Sequence, residues 1–157
     1  MLLPVLQNIV PKDLPVAIYP DKTNADLMHR VNSFIQESID QTVIISQHFK
    51  GGDEIRKVFD FLLNEITYKA DGEDQDILKP NALLLRTVGD CKSFTLFAIG
   101  VLTNLGHKCK IRYAGYVPGS NVLNHVYPIV DGVICDAVWK IYNSEKAYII
   151  KQDFILH

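Results

Sequence analysis

Apolar and polar positions change their spacing part-way along the chain. Up to about residue 105 the apolar residues recur at helical intervals. Leu27, Val31, Phe34, Ile35 and Ile39 lie on one stripe, and Thr23 or Asn24 is placed to cap the helix that carries them. Thr42-Val43-Ile44-Ile45 suits either a helical continuation or a short strand. Helix is the better reading, because Phe49-Lys50-Gly51-Gly52 reads as a helix stop. Asp53 is placed to cap a second helix with Ile55, Val58, Phe59, Leu62 and Ile66 on one side. A third runs from Cys91 to Leu105, with Asp90 as its cap and Gly106 just past its end. Phe94, Phe97, Ala98, Val101, Leu102 and Leu105 form its stripe, so this helix is expected at the centre of the fold.

Beyond Gly106 the period becomes two. Lys108, Lys110 and Arg112 alternate with Cys109, Ile111 and Tyr113, the pattern of a half-buried strand. Pro118-Gly119-Ser120-Asn121 marks a turn, residues 122–130 a second strand, and Asp131-Gly132 a two-residue hairpin. A third strand is expected over 133–140 and a fourth around Tyr148-Ile149-Ile150. Helices followed by an antiparallel meander give the α+β class. Residues 1–22 hold four of the seven prolines and read as an extended arm that packs on the domain or on a partner, ahead of a single domain over 23–157. The stretch from Ala70 to Pro80, with Asp71, Glu73, Asp74 and Asp76, reads as a solvated acidic connection.

Composition narrows the class without naming a function. The 157 residues are 48% hydrophobic and 22% charged, with a net charge of −2. Scattered Lys and Arg give no electrostatic case for nucleic acid or an anionic membrane. No run approaches the ~18 apolar residues of a membrane span. The opening Met1-Leu2-Leu3-Pro4-Val5-Leu6 lacks the basic segment of a signal peptide. Three cysteines, at 91, 109 and 135, make no CxxC pair and no even framework, so reduced thiols in a cytoplasmic setting are expected.

The candidate chemistry centres on Cys91. A thiol at the start of a helix meets unpaired N–H groups and the positive end of the helix dipole, and both favour thiolate. Three residues before Phe94 and seven before Ala98, it lies on the apolar stripe and is turned towards whatever the helix packs on. With Asp131-Gly132 as the turn, Tyr127 pairs with Asp136 and His125 with Val138. His125 and Asp136 are then diagonal neighbours on one face, about 7–8 Å apart at Cα, within reach of an imidazole–carboxylate bond. If the Cys91 helix packs on that face, Cys91 is a nucleophile, His125 its general base and acid, and Asp136 the group that orients the ring. The Cys91 N–H can serve a developing oxyanion.

Three features temper this reading. Asp90 beside the thiol opposes thiolate formation unless its carboxylate turns to the helix N–H groups, and Lys92 offsets some of its charge. Taken singly, a cysteine at a helix start is more often a small buried hydrophobe, and a strand histidine a structural one. Pro128 cannot donate to a ladder and must face away from a partner strand or sit at a bulge. Cys109 and Cys135 read as core residues. Zinc sites usually show close ligand pairs, so a metal on Cys91, His125 and Asp136 is disfavoured, and no cofactor is expected. His29, His48, His107 and His157 show no partner pattern.

These segments resemble the transglutaminase-like superfamily of papain-type thiol enzymes. The resemblance rests on Gly89-Asp90-Cys91-Lys92-Ser93-Phe94 through Gly106, Ile111-Arg112-Tyr113, Asn124-His125-Val126-Tyr127 and Ile134-Cys135-Asp136-Ala137-Val138, in the family's order of Cys, His and Asp. Ile66-Thr67-Tyr68-Lys69 and Lys79-Pro80 resemble its lead-in, and the likeness covers about 53–151. It is similar to small stand-alone members from Bacteroidetes-type bacteria and their phages or mobile elements. The resemblance implies a transglutaminase-like or papain-like helix-on-sheet core and a Cys91–His125–Asp136 triad. It also implies acyl transfer on amide bonds of peptides or proteins.

Hydrolysis is expected over cross-linking, since the chain shows no extra domain to shield an acyl-enzyme from water. The competing expectation is a phage or mobile-element binding module that keeps the fold with little turnover. The arm at 1–22 and the acidic loop at 70–80 would be its contact surfaces. The expected partners are then a peptide or protein substrate, or a protein held by the arm, in the cytoplasm or on a virion.

Overall fold

The structure, a computed structural model, describes residues 1–12, 17–18, 24–70 and 76–156. Its elements in chain order are α1 (Leu3–Gln7), β1 (Ala17–Ile18), α2 (Asn24–Ser33), α3 (Ile35–Gln41), α4 (Val43–Ser46), α5 (Glu54–Glu65), β2 (Thr67–Tyr68), β3 (Asp76–Ile77), α6 (Pro80–Arg86), β4 (Val88–Gly89), α7 (Cys91–Asn104), β5 (Cys109–Gly115), β6 (His125–Val130), β7 (Val133–Ile134) and β8 (Ile150–Ile155). Helices pack on an antiparallel sheet, the expected α+β class. The sheet order is β7-β6-β5-β8. Strands β5, β6 and β7 form the expected meander, and β8 returns to pair with β5, which makes the Greek-key order.

The single N-terminal helix of the periodicity is three. The helix is interrupted at Phe34 and Thr42. Ser38 and Thr42 turn their hydroxyls back onto the carbonyls of Phe34 and Ser38, both at 2.8 Å. Such back-bonding competes with the helical ladder and bends the chain. The ambiguous Thr42–Ile45 stretch is helical, as α4. Asp53 precedes α5 in the left-handed region with φ 48° and makes no side-chain cap, so the expected capping bond is not formed. The capping expectation at Thr23 and the acidic loop at 71–75 lie outside the described residues, as do Pro15, Pro20 and His157.

The N-terminal segment departs from the extended arm. Residues 3–7 form α1, with Pro4 in the first turn, where a missing N–H costs nothing. Leu3, Leu6 and Val10 are buried in the same core as α5, α6 and α7, so no boundary at residue 22 separates them from it. The Leu3 N–H donates to Glu65 Oε1 at 2.9 Å, and the Gln7 amide to the Leu84 carbonyl at 2.9 Å.

Helix α7 runs through the middle of that core, with Leu96 to Val101 fully buried. Gly100 lets α3 lie directly against it: a Cβ there would meet the Ser38 carbonyl oxygen at 2.5 Å. Past its end, the His107 N–H returns to the Leu102 carbonyl at 3.0 Å, and Gly106 takes φ 90°. Among the described residues, no helix is long and apolar enough to cross a membrane.

The expected third strand is cut short. Val130 pairs with Val133 and Ile129 with Ile134, as the turn predicts. One more bond follows, from the Cys135 N–H to the Pro128 carbonyl at 3.0 Å. In an antiparallel ladder a residue's N–H and C=O point to the same neighbour. The Pro128 nitrogen therefore also faces the β7 side, where it has nothing to donate, and the ladder ends there. The chain turns at once, with the Trp139 N–H on the Asp136 carbonyl at 3.2 Å.

Candidate active site

Cys91 opens α7 and is partly exposed, the remainder of its side chain packing on the core. Strands β2 and β4 pair in parallel and deliver the chain to it, with Tyr68 opposite Gly89. Asp90 is the N-cap. Its Oδ1 accepts from the N–H groups of Lys92 at 3.0 Å and Ser93 at 3.2 Å, and its Oδ2 pairs with the Lys92 ammonium. The carboxylate that opposed a thiolate is thereby turned onto the helix and an ammonium group. It serves the second and third N–H groups of the helix and not that of Cys91 itself.

His125 begins β6, and the sheet does not bring it to Cys91 by the expected route. The face that packs on α7 carries Ile111, Tyr113, Val126 and Val130. Strand alternation groups His125 with Tyr127 and Ile129 on the other face, and its ring lies 5.3 Å from that of Tyr127 and 6.3 Å from that of Tyr116. Around the end of the strand His125 and Cys91 border one cavity, and His125 is hydrogen-bonded to Asp136.

Asp136 also arrives differently. It lies in the turn after the shortened β7 rather than opposite Tyr127 in a ladder. Its Oδ1 accepts from the N–H groups of Val138 at 3.1 Å and Trp139 at 3.4 Å, and its Oδ2 lies 2.8 Å from His125 Nε2. It is 97% out of solvent. Nε2 is thus held by the acid, and Nδ1 has no hydrogen bond among the described residues. The three residues read from the sequence do come together, by a turn and a strand end instead of a common face.

The electrostatics follow from these contacts. Burial opposes a charge on His125, but its hydrogen bond to Asp136, with that carboxylate and the nearby Cys91, outweighs that and pushes its pKa up to about 10. Burial pushes the thiol of Cys109 up to about 11 and that of Cys135 up to about 12. All three cysteines are free thiols. Among the described residues no group of three or more His, Cys, Asp or Glu could hold a metal ion.

Two tyrosines near the thiol escaped the sequence reading. The Tyr68 ring packs edge-on against Phe94, 6.1 Å between centroids, one turn beyond Cys91 on the same side of α7. Burial raises the Tyr68 hydroxyl pKa, and the charge of Cys91 raises it further. The Tyr116 hydroxyl is buried without a partner among the described residues. Tyr68 lies within a lead-in already noted, and its pairing with the residues just before Cys91 was the signal available. Tyr116 offered none, because its position depends on the end of β5.

No protein-family model matches the chain, and no curated protein matches it. A solved structure from Cytophaga hutchinsonii, described as a candidate cysteine protease, is similar at a TM-score of 0.46 and 12% identity, over 75% of this chain and 47% of that one. The chain spans about half the length of that protein.

Proposed function

We propose that the chain is a thiol-dependent acyl-transfer enzyme that hydrolyses amide bonds in peptides or proteins. The observation that carries this reading is the His125–Asp136 hydrogen bond beside a cavity that His125 shares with Cys91, at the N-terminus of a buried helix.

Cys91 as thiolate attacks the carbonyl carbon, and the carbonyl π electrons pass to oxygen. The N–H of Cys91, left uncapped by Asp90, donates to that oxyanion, and the Tyr68 hydroxyl is the second donor. The C–N bond breaks as the tetrahedral centre collapses, and the amine leaves with the proton of His125. Water then enters, gives a proton to the now neutral ring, and attacks the thioester. Collapse returns the carboxylic acid and the thiolate–imidazolium pair. Asp136 holds the ring orientation throughout. The partial exposure of Cys91 lets water reach the acyl-enzyme, which favours hydrolysis over transfer to an amine.

The test is alkylation by iodoacetamide at neutral pH, followed by peptide hydrolysis. Wild type labels at Cys91 and turns over, and Cys91→Ala does neither. Labelling at Cys91 that is indifferent to His125→Ala would sink the reading.

A further inference from the structure

We infer that the cavity between α2 and the start of α7 is the acyl-side pocket of this site, and that it takes an aliphatic side chain. The inference rests on the thiol-enzyme reading above. The cavity opens on both Cys91 and His125, and its walls are Leu27, Met28 and Val31 from α2 with Leu123 and Val126 from the sheet side. A second cavity, lined by Tyr116, Asp136, Trp139 and Lys146 among others, touches His125 but not Cys91. The half of the substrate bonded to sulfur must remain beside Cys91, whereas the half that departs takes its proton from His125 and leaves past it. The cavity bordered by the nucleophile is therefore the acyl side.

Its chemistry selects an apolar occupant. Two of the polar groups on its wall are already engaged, and a third, the Asn124 amide, is neutral and exposed at the rim. The Tyr113 hydroxyl lies 2.6 Å from Asn32 Oδ1 and 3.3 Å from the Met28 carbonyl, which also ties α2 to the sheet. The Lys92 ammonium is held by Asp90. A charged side chain placed there would lose water with only a neutral amide at the rim to bond it in return. An aliphatic one would cover apolar surface on α2 and Leu123. Helix α2 lies before residue 53, outside the stretch that resembles the thiol-enzyme family, so the selecting wall and the reacting groups come from different parts of the chain.

The experiment uses the full chain and three chloromethyl ketones, those of N-acetyl-glycine, N-acetyl-leucine and N-acetyl-aspartate. Each alkylates sulfur with loss of chloride. Labelling rates at Cys91 are divided by each reagent's rate with N-acetylcysteine. The leucine reagent should exceed the glycine one by about tenfold or more, as a filled apolar pocket provides, and the aspartate reagent should fall below both. Met28→Trp fills the pocket from α2 and Leu123→Trp fills it from the opposite wall. Either should bring the leucine-to-glycine ratio close to one, and two variants guard against one that fails to fold. A ratio near one in wild type, or one unchanged by both substitutions, overturns the pocket assignment. Labelling that ignores His125 overturns the enzyme reading instead, so the two failures are distinguishable.

Discussion

His107 and His125 are each bonded to a carboxylate, yet only one of them borders the cavity that holds the helix-start thiol of Cys91. His107 Nδ1 lies 2.6 Å from Asp131 Oδ2, and its Nε2 lies 3.2 Å from Glu54 Oε1. Both ring nitrogens are taken by acids, so the ring pins the hairpin turn to the start of α5. His125 gives one nitrogen to Asp136 and borders the cavity that Cys91 also lines. Their own side chains are similarly buried, but their acids are not: Asp131 is 45% exposed and Asp136 is 3% exposed. A carboxylate partner does not by itself make a histidine a base. What separates the two is the group at the second nitrogen and the exclusion of water from the first.

The comparison can be broken at several points. The largest effect is expected from the two histidines themselves. His125→Ala should slow alkylation of Cys91 at neutral pH and abolish detectable peptide hydrolysis, a loss on the order of a hundredfold or more. His107→Ala should leave the labelling rate within about twofold of wild type, in line with a surface ion pair remote from the thiol. Stopped-flow alkylation of both variants decides it, and equal losses would erase the distinction.

Next in size is Asp136→Asn, which keeps the shape but removes the charge that holds the imidazolium. Hydrolysis should fall by roughly a hundredfold or more. Initial rates of peptide hydrolysis at neutral pH check it, and rates equal to wild type would remove Asp136 from the orienting role. Tyr68→Phe should lower hydrolysis by about tenfold to a hundredfold, the cost of one oxyanion donor, and should slow iodoacetamide far less. Alkylation passes through no oxyanion, so a parallel loss in both assays would remove Tyr68 from that role.

Stability should report the same pair through pH. The folded pKa of His125 is raised, to about 10, above its ordinary value near 6.5. Its contribution is fully present below the ordinary value and is lost as pH rises through about 10. Urea unfolding of wild type should therefore weaken over that interval more steeply than unfolding of His125→Gln. Matching slopes would mean that the pair does not stabilise the fold. The smallest effect belongs to the exposed partner. Asp131→Ala should cost about 1 kcal/mol or less, read from the same urea midpoints, and should leave alkylation unchanged.

Much of this arrangement was legible from spacing. The stripe that begins at Cys91 and the cap at Asp90 rest on local chemistry, and local chemistry survives folding. The Asp131-Gly132 turn did too, down to the pairing of Val130 with Val133. What the pattern missed was set by contacts distant in sequence. Period two put Asp136 opposite Tyr127, but Pro128 ended the ladder first. The same alternation implied one face for His125 and α7, whereas the helix packs on the face of Val126 and Val130. His107 showed no partner in the sequence, since Glu54 lies 53 residues away. The N-terminal prolines suggested an extended chain, and the burial of Leu3 and Leu6 in a core assembled from later helices overrode them.

The early end of β7 has a consequence for how such a chain could change over generations. Nucleophile and base are built into a helix and a strand, where replacement disturbs packing or pairing. The orienting acid stands just past a strand end, in a turn, and turns tolerate exchange and insertion more readily. Asp136 could be lost while the sheet kept every backbone bond. On the proposed reading, a descendant of this protein would then retain its fold and its apolar pocket but no longer turn over. Between an enzyme and a binding scaffold there would stand a single residue in a turn.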